Sequence, residues 1–175
     1  ISLSFLQTPD YENPHDSNQD NRYDFNFTVT DGGNSAVSYP VQISVQDGKE
    51  PPYFDYGDGN RSVTLKIASN FVEMTNGFVF DANASDLDGN PIIYGLTSTG
   101  LGNGPDNDLF AINPSTGRIS FIAPPDFETP LGGISDNNNT YFLEVNATDG
   151  SGTTKPTHLI YVTVTNVVEP PTFID

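Results

Sequence analysis

Tyr141-Phe142-Leu143-Glu144-Val145-Asn146-Ala147-Thr148-Asp149-Gly150 reads as a β-strand running into an Asp-Gly turn, and the chain carries it twice. The earlier version is Tyr23-Asp24-Phe25-Asn26-Phe27-Thr28-Val29-Thr30-Asp31-Gly32. There, Tyr23 to Val29 alternates apolar and polar with period two, as a half-buried strand does. The match extends outward. Ser4-Phe5-Leu6-Gln7-Thr8-Pro9-Asp10-Tyr11-Glu12-Asn13-Pro14 corresponds to Ser120-Phe121-Ile122-Ala123-Pro124-Pro125-Asp126-Phe127-Glu128-Thr129-Pro130. Asp47-Gly48-Lys49-Glu50-Pro51-Pro52-Tyr53-Phe54 returns as Asn166-Val167-Val168-Glu169-Pro170-Pro171-Thr172-Phe173. The offset is 116 residues from Ser4 to Ser120 and 119 from Glu50 to Glu169, so short loop insertions separate the copies. The chain is an internal repeat with a period of about 120 residues.

The repeat divides the chain. Residues 53–175 hold a whole copy, and residues 1–52 hold only the C-terminal portion of a preceding one. Three strands from half a sandwich leave edges and one face uncovered, which does not make a stable domain alone. The expectation is a split repeat whose first half lies before Ile1, since the chain opens in mid-pattern. The boundary is Glu50-Pro51-Pro52. Consecutive prolines stiffen a linker and favour an extended path, and the neighbouring carboxylates add hard oxygen ligands.

Between these landmarks the chain is a series of short alternating runs punctuated by Gly, Pro, Asn and Asp. Val37 to Val45 places Val41, Ile43 and Val45 on one face. Val63, Leu65 and Ile67 alternate, followed by Phe78 and Phe80. Ile92–Leu96, Leu109–Ile112, Arg118–Ile122, Tyr141–Ala147 and Leu159–Thr165 complete the set. Helical periodicity is almost absent. Seven or so strands in one repeat point to an all-β fold: a seven-stranded Greek-key sandwich of the immunoglobulin type.

Composition narrows the chemistry. The 175 residues carry 23 acidic side chains against 6 Lys plus Arg, a formal net charge of −17. That balance argues against nucleic acid and anionic membrane partners, which need a basic patch. It fits either a protein kept soluble in salty surroundings or a surface neutralised by bound divalent cations. The absence of Cys removes disulfides, thiolate catalysis and Cys-based zinc sites. No apolar run is long enough to span a membrane. No nucleophile elbow, phosphate loop or zinc-binding helix is present, so no enzymatic activity is expected.

Five acidic or turn-forming marks occur in order in residues 53–175: Val72-Glu73; Asp86-Leu87-Asp88-Gly89-Asn90; Gly102-Asn103 with Phe110-Ala111-Ile112-Asn113-Pro114-Ser115-Thr116-Gly117; Pro125-Asp126-Phe127-Glu128; and Ala147-Thr148-Asp149-Gly150. Together they resemble cadherin repeats, in particular the cadherin-like repeats of large bacterial calcium-dependent (RTX-type) surface adhesins. The resemblance implies a cadherin-like version of the sandwich, Ca2+ as the cofactor, an extracellular location at the cell surface, and neighbouring repeats of the same adhesin as partners. It implies a non-catalytic extender of an adhesin active in cell adhesion or biofilm formation. By the same analogy, one calcium joint draws Asp10, Glu12, Asp47 and Glu50 from the upper repeat. It draws Asp86, Asp88, Asp149 and the Asn103 carbonyl from the lower. A second, half-built set comprises Glu73, Asp126, Glu128, Asn166 and Glu169, with Asp175 beside it. Asp31 corresponds to Asp149 in the truncated copy. Two departures separate the chain from animal cadherins. Its linker is the short Glu-Pro-Pro form, and it has no Trp for strand-swap adhesion.

Calcium suits such a set because it takes six to eight oxygens in irregular geometry. Taken singly, the Asp-Gly pairs are turn formers; the ordered context assigns Asp88 and Asp149 to calcium. Asp55, Asp58 and Asn60 read as a solvated turn ahead of the alternative, a small extra cation loop; Asp106-Asn107-Asp108 and Asp136-Asn137-Asn138-Asn139 read as solvated loops, with extension of a site as the alternative. His15 and His158 have no partner pattern and read as surface residues. The rival reading is a carbohydrate- or protein-binding module that uses exposed aromatics between Pro52 and Tyr56, or the loop Gly100–Asp108, to hold a glycan or cell-surface protein.

Overall fold

A computed structural model describes residues 2–33, 36–55, 66–75, 77–98, 104–132, 138–151 and 157–171. It contains two compact units, Ile1–Lys49 and Glu50–Asp175. The first unit is a single hairpin. Strand β1 (Arg22–Thr30) pairs antiparallel with β2 (Ala36–Ser44), with Tyr23 opposite Ile43 and Phe25 opposite Val41. Alternation holds along β2: Val41, Ile43 and Val45 are half-buried while Gln42 and Ser44 are exposed.

The second unit is the sandwich. Its strands are β3 (Tyr53–Phe54), β4 (Lys66–Val72), β5 (Phe78–Asp81), β6 (Ala84–Ser85), β7 (Ile93–Leu96), β8 (Phe110–Ile112), β9 (Arg118–Phe121), β10 (Thr140–Thr148) and β11 (Thr157–Thr165). Seven of them form the two sheets, one in the order β4-β11-β10-β7 and the other β5-β9-β8. The remaining two make a short β3-β6 ladder. All the pairings are antiparallel except β4 with β11, which run parallel from Lys66–Leu159 to Val72–Thr165. The all-β expectation holds, with strand ends shifted by one or two residues except at β4, which runs to Val72, five residues past Ile67. The two-residue strands β3 and β6 are too short to show a period in sequence. Val63 and Leu65 lie outside the described residues.

The core forms where the alternating faces meet. Leu143, Val145 and Ala147 of β10 and Ile160 and Val162 of β11 are fully buried against Ile119 of β9. Phe71, Phe110, Phe121 and Tyr141 make a tilted aromatic cluster, with Phe110 and Phe121 centroids 4.3 Å apart. The β8-β9 turn depends on Gly117. Its φ is +73°, and a Cβ there would lie 2.4 Å from the Ala82 carbonyl oxygen.

Three sequence expectations are corrected. His158 is buried, not on the surface: it points inward from β11, paired with Val145, and its ring lies 4.3 Å from the Phe54 ring. Burial pulls its pKa down to about 4. Asp106 is buried, not solvated. Its Oδ2 accepts the Phe142 amide at 2.7 Å, while the Asn107 side chain donates to the Thr97 carbonyl and accepts the Glu144 amide. These contacts satisfy the part of the β10 edge that β7 does not reach. Asn139 lies in the loop before β10, as expected, but it is half-buried and pins that loop rather than facing solvent. It sits at φ +56°, its Nδ2 donates to the Phe127 carbonyl at 2.8 Å, and its own carbonyl accepts the Val164 amide at 2.8 Å.

The hairpin unit carries the same bonds at repeat-matched positions. Asn21 (φ +63°) donates to the Tyr11 carbonyl at 2.8 Å and accepts the Val45 amide at 2.9 Å. Asp10 Oδ1 accepts the Asn13 amide as Asp126 Oδ1 accepts that of Thr129. Asp31 Oδ1 accepts the Gly33 amide as Asp149 Oδ1 accepts that of Ser151. Phe5 meets Tyr23 edge-on at 5.1 Å, as Phe121 meets Tyr141 at 5.2 Å.

Two outcomes follow for urea denaturation. Asn139→Gly keeps the left-handed backbone and loses the side-chain bond, for a loss of about 1 kcal/mol. Asn139→Ala loses the same bond and also asparagine's tolerance of that conformation, and is roughly 1–2 kcal/mol less stable than Asn139→Gly. For His158 the folded pKa lies below the unfolded one, so the unfolded chain binds more protons between pH 6.5 and 4. In chelator, stability therefore falls as pH drops through that window, and His158→Phe flattens the fall, by about 1–2 kcal/mol at pH 4.

Candidate metal centres

Two groups of carboxylates gather at separate places in the second unit. The first is built by two turns. In Asp86-Leu87-Asp88-Gly89-Asn90, Gly89 (φ +70°) lets the chain reverse, and its amide donates to the Asp86 carbonyl at 3.2 Å. Asp86 Oδ1 accepts the Asn90 amide at 2.9 Å and the Asn90 side chain at 3.2 Å. Asp149 follows the end of β10, and its Oδ1 accepts the Ser151 amide at 2.8 Å. The result brings a carboxylate oxygen of each of Asp86, Asp88 and Asp149 within 4.8 Å of the others. Two oxygens bound to one calcium are at most about twice 2.3–2.6 Å apart, so this spacing fits a shared ion.

Asp86 supplies a more specific test of fit. Its Oδ2 is buried and has no hydrogen-bond partner among the described residues. An ionised oxygen removed from water without a donor is strongly disfavoured, and a divalent cation removes that conflict. Glu50 adjoins the group, and its backbone amide donates to Asp88 Oδ2 at 3.3 Å. Asn103 lies outside the described residues.

The second group combines Glu73, Asp126 and Glu128, again with carboxylate oxygens within 4.8 Å. Glu73 is fully buried just beyond β4. Its Oε2 accepts the Phe127 amide at 2.6 Å and its Oε1 the Val167 amide, so one carboxylate ties together three chain segments. Asn166 Nδ2 donates to Glu128 Oε1 at 2.5 Å. Hydrogen bonds from Thr129 hold the Asp126 carboxyl below its ordinary value. Loss of water, then the charges of Glu128, Glu73 and Asp126, push the Glu169 carboxyl above its ordinary value. Glu169 thus belongs to this like-charged group, as expected from its place after the repeat. Asp175 lies outside the described residues. Asp10, Glu12, Asp31 and Asp47 are exposed residues of the hairpin unit.

Of the aromatics in the rival binding-module reading, Tyr53 is half-buried, and residues 100–103 of the second loop lie outside the described residues. Phe54 is a core residue, packed on His158, and Asp106 is buried within the 100–108 loop. Tyr56 lies outside the described residues.

No family model matches the chain. Among curated proteins, human protocadherin gamma-C4 is 29% identical over 152 residues, covering 84% of this chain and 15% of that protein. The Drosophila melanogaster protocadherin-like wing polarity protein stan is 29% identical over 150 residues, covering 85% of this chain and 4% of that protein. Among solved structures, extracellular cadherin domains 1–4 of protocadherin gamma B7 superpose with a TM-score of 0.55 at 19% identity, covering 87% of this chain and 34% of that one. Domains EC1–3 of mouse clustered PcdhgC3 give 0.53 at 19%, covering 91% and 46%. The fold is that of cadherin extracellular domains, and the chain spans only a small part of the curated relatives it matches.

The two roles of carboxylates in the second group separate by substitution. Glu73→Gln sets an amide NH2 against a backbone N–H and lowers stability by about 1–3 kcal/mol even in chelator. Glu128→Gln leaves the chelated protein's melting temperature unchanged or raised, because it relieves like-charge repulsion. Paired thermal melts with and without EDTA distinguish them.

Proposed function

We propose that the chain is a non-catalytic, calcium-stiffened segment of tandem cadherin-like repeats that extends an adhesion protein at the cell surface. The observation that carries the reading is the group Asp86, Asp88 and Asp149, with the buried Oδ2 of Asp86 lacking a hydrogen-bond partner among the described residues. In this reading a calcium ion is held there, with Glu50 and the Asn103 carbonyl among its ligands. The repeat pattern adds Asp10, Glu12 and Asp47 from the preceding repeat, residues 1–52, to the joint that begins residues 53–175. Glu73, Asp126, Glu128, Glu169 and the Asn166 side chain form the matching set at the other end, which the next repeat completes.

Calcium supplies positive charge that lets these carboxylates stay ionised together. The proline-stiffened Glu-Pro-Pro segment then needs no disulfide to hold its direction. Partners in this reading are neighbouring repeats of the same protein. The narrower form, an extender of a bacterial RTX-type adhesin in biofilm, rests on the short linker and the lack of Trp, since the relatives named above are animal proteins.

A calcium titration of thermal stability tests the reading. At extracellular-module affinities of about 10⁻⁴–10⁻³ M, 10 mM calcium against a Kd near 1 mM stabilises by about 1.4 kcal/mol. The melting temperature of the second unit then rises by roughly 4–8 °C. Magnesium at the same concentration gives a smaller rise, because it demands tight octahedral order. Asp86→Asn and Asp149→Asn each weaken calcium binding at least tenfold while leaving the chelated melting temperature unchanged or higher. An unaltered melt across 0–10 mM calcium would sink the proposal.

A further inference from the structure

We propose that the outward face of β5 and β9 holds a carboxylated sugar, a uronic acid unit of an acidic glycan, with the Arg118 guanidinium as its anion contact. The site goes beyond the extender reading and uses no residue of either carboxylate group. It is a groove of about 490 Å³ lined by Thr75, Gly77, Phe78, Arg118, Ser120 and Pro124. That volume is in the range of small-ligand clefts, about 300–1,000 Å³.

Arg118 is the residue that points to a ligand. The chain carries 6 Lys plus Arg against 23 acidic residues, so an exposed guanidinium ordinarily meets a carboxylate. Arg118 does not. Among the described residues its side chain makes no ion pair or hydrogen bond, and its contact is with the Phe78 ring, whose centroid lies 4.4 Å from Cζ. Ile119 is fully buried, so Arg118 and Ser120 share the outward face of β9. Phe78 stands opposite Ser120, which sets it diagonally across from Arg118 on that face. Asp81 is opposite Arg118 in the ladder, yet the two side chains form no ion pair. The repeat does not require an arginine here, since Ser2 occupies the matching place in the other copy.

The chemistry selects the ligand class. A guanidinium stacked on a ring keeps its in-plane N–H donors for another partner. The ring also orders it in advance, which lowers the entropy lost on binding. Its fork of two parallel donors matches one planar carboxylate. A single cation in a chain of net charge −17 does not suit a densely charged phosphate or sulfate ligand. Phe78, 54% exposed, and Pro124 supply an apolar floor for the C–H face of a sugar ring. Thr75 Oγ1 donates to the Val72 carbonyl at 2.6 Å, so its lone pairs are offered to a sugar hydroxyl. An acidic peptide fits less well. Strand β9 is hydrogen-bonded on both sides, by β5 and β8, and a groove over it gives an extended peptide no backbone ladder.

The test is an NMR titration of the whole calcium-loaded chain with a tetrasaccharide of alternating glucuronic acid and N-acetylglucosamine, at about 150 mM NaCl so that long-range repulsion is screened. The expected result is saturable shifts at the Gly77, Phe78 and Ser120 amides and at the Arg118 Nε–H, absent with the methyl-esterified sugar. Arg118→Gln weakens binding about tenfold or more, and Arg118→Lys, which keeps the charge without the fork, weakens it by less. Asp81→Asn removes a like charge one strand away and tightens binding about twofold; its Oδ1 has no hydrogen-bond partner to lose among the described residues. Binding that Arg118→Gln and Arg118→Lys leave unchanged overturns the proposal, because the sugar is then bridged by calcium at the carboxylate groups. Equal binding of the methyl ester, or no shift at these amides, also overturns it. So does tighter binding of a tetraglutamate peptide at the same amides, which makes an acidic protein the occupant.

Discussion

Like-charged oxygens crowded into a small, partly dry volume must either protonate, separate or share a cation. That constraint governs both ends of the second unit. At one end the Asp86 turn and the Asp149 turn are folded so that each uses Oδ1 for its own backbone, and the group's carboxylates converge. At the other end Glu73 is sunk into the fold and surrounded by Asp126, Glu128 and Glu169. Between them lies the β-sandwich. It is an alternating apolar core of Ile119, Leu143, Val145 and Ile160 that fixes where the two acidic ends lie.

Glu73 shows how structure and binding share one group. Its carboxylate accepts backbone amides from two distant segments, so the fold itself delivers Asp126, Glu128 and Asn166 to the same place. The Asn139 pin does similar work in the next layer by joining Phe127 to Val164. Metal ligation and chain closure are coupled through these few residues, which is a physical route by which calcium would act on stability as well as on charge.

Much of this was legible in the sequence, and the reasons are specific. Period-two alternation identified the long strands because each buries one face. The repeat located the acidic marks because two copies kept them in the same order, and those marks gave both carboxylate groups of the second unit. Other features left no local signal. The β3-β6 ladder has two residues on each side, too few for a period. His158 reads as a surface residue until Phe54, more than one hundred positions away, is folded onto it. Asp106 and Asn139 carry the composition of solvated loops. Their roles come from the backbone groups they satisfy, at Phe142 and Phe127, which only the fold brings near. The matching Asn21 was visible as a residue, yet its pairing with Asn139 emerged from hydrogen bonds rather than from the aligned motifs.

The most direct measurement is an anomalous difference map from crystals of this chain grown in millimolar calcium. The account predicts a peak among the carboxylates of Asp86, Asp88 and Asp149, lost in crystals of Asp86→Asn. Ordered carboxylates with no peak between them at 10 mM calcium would contradict it.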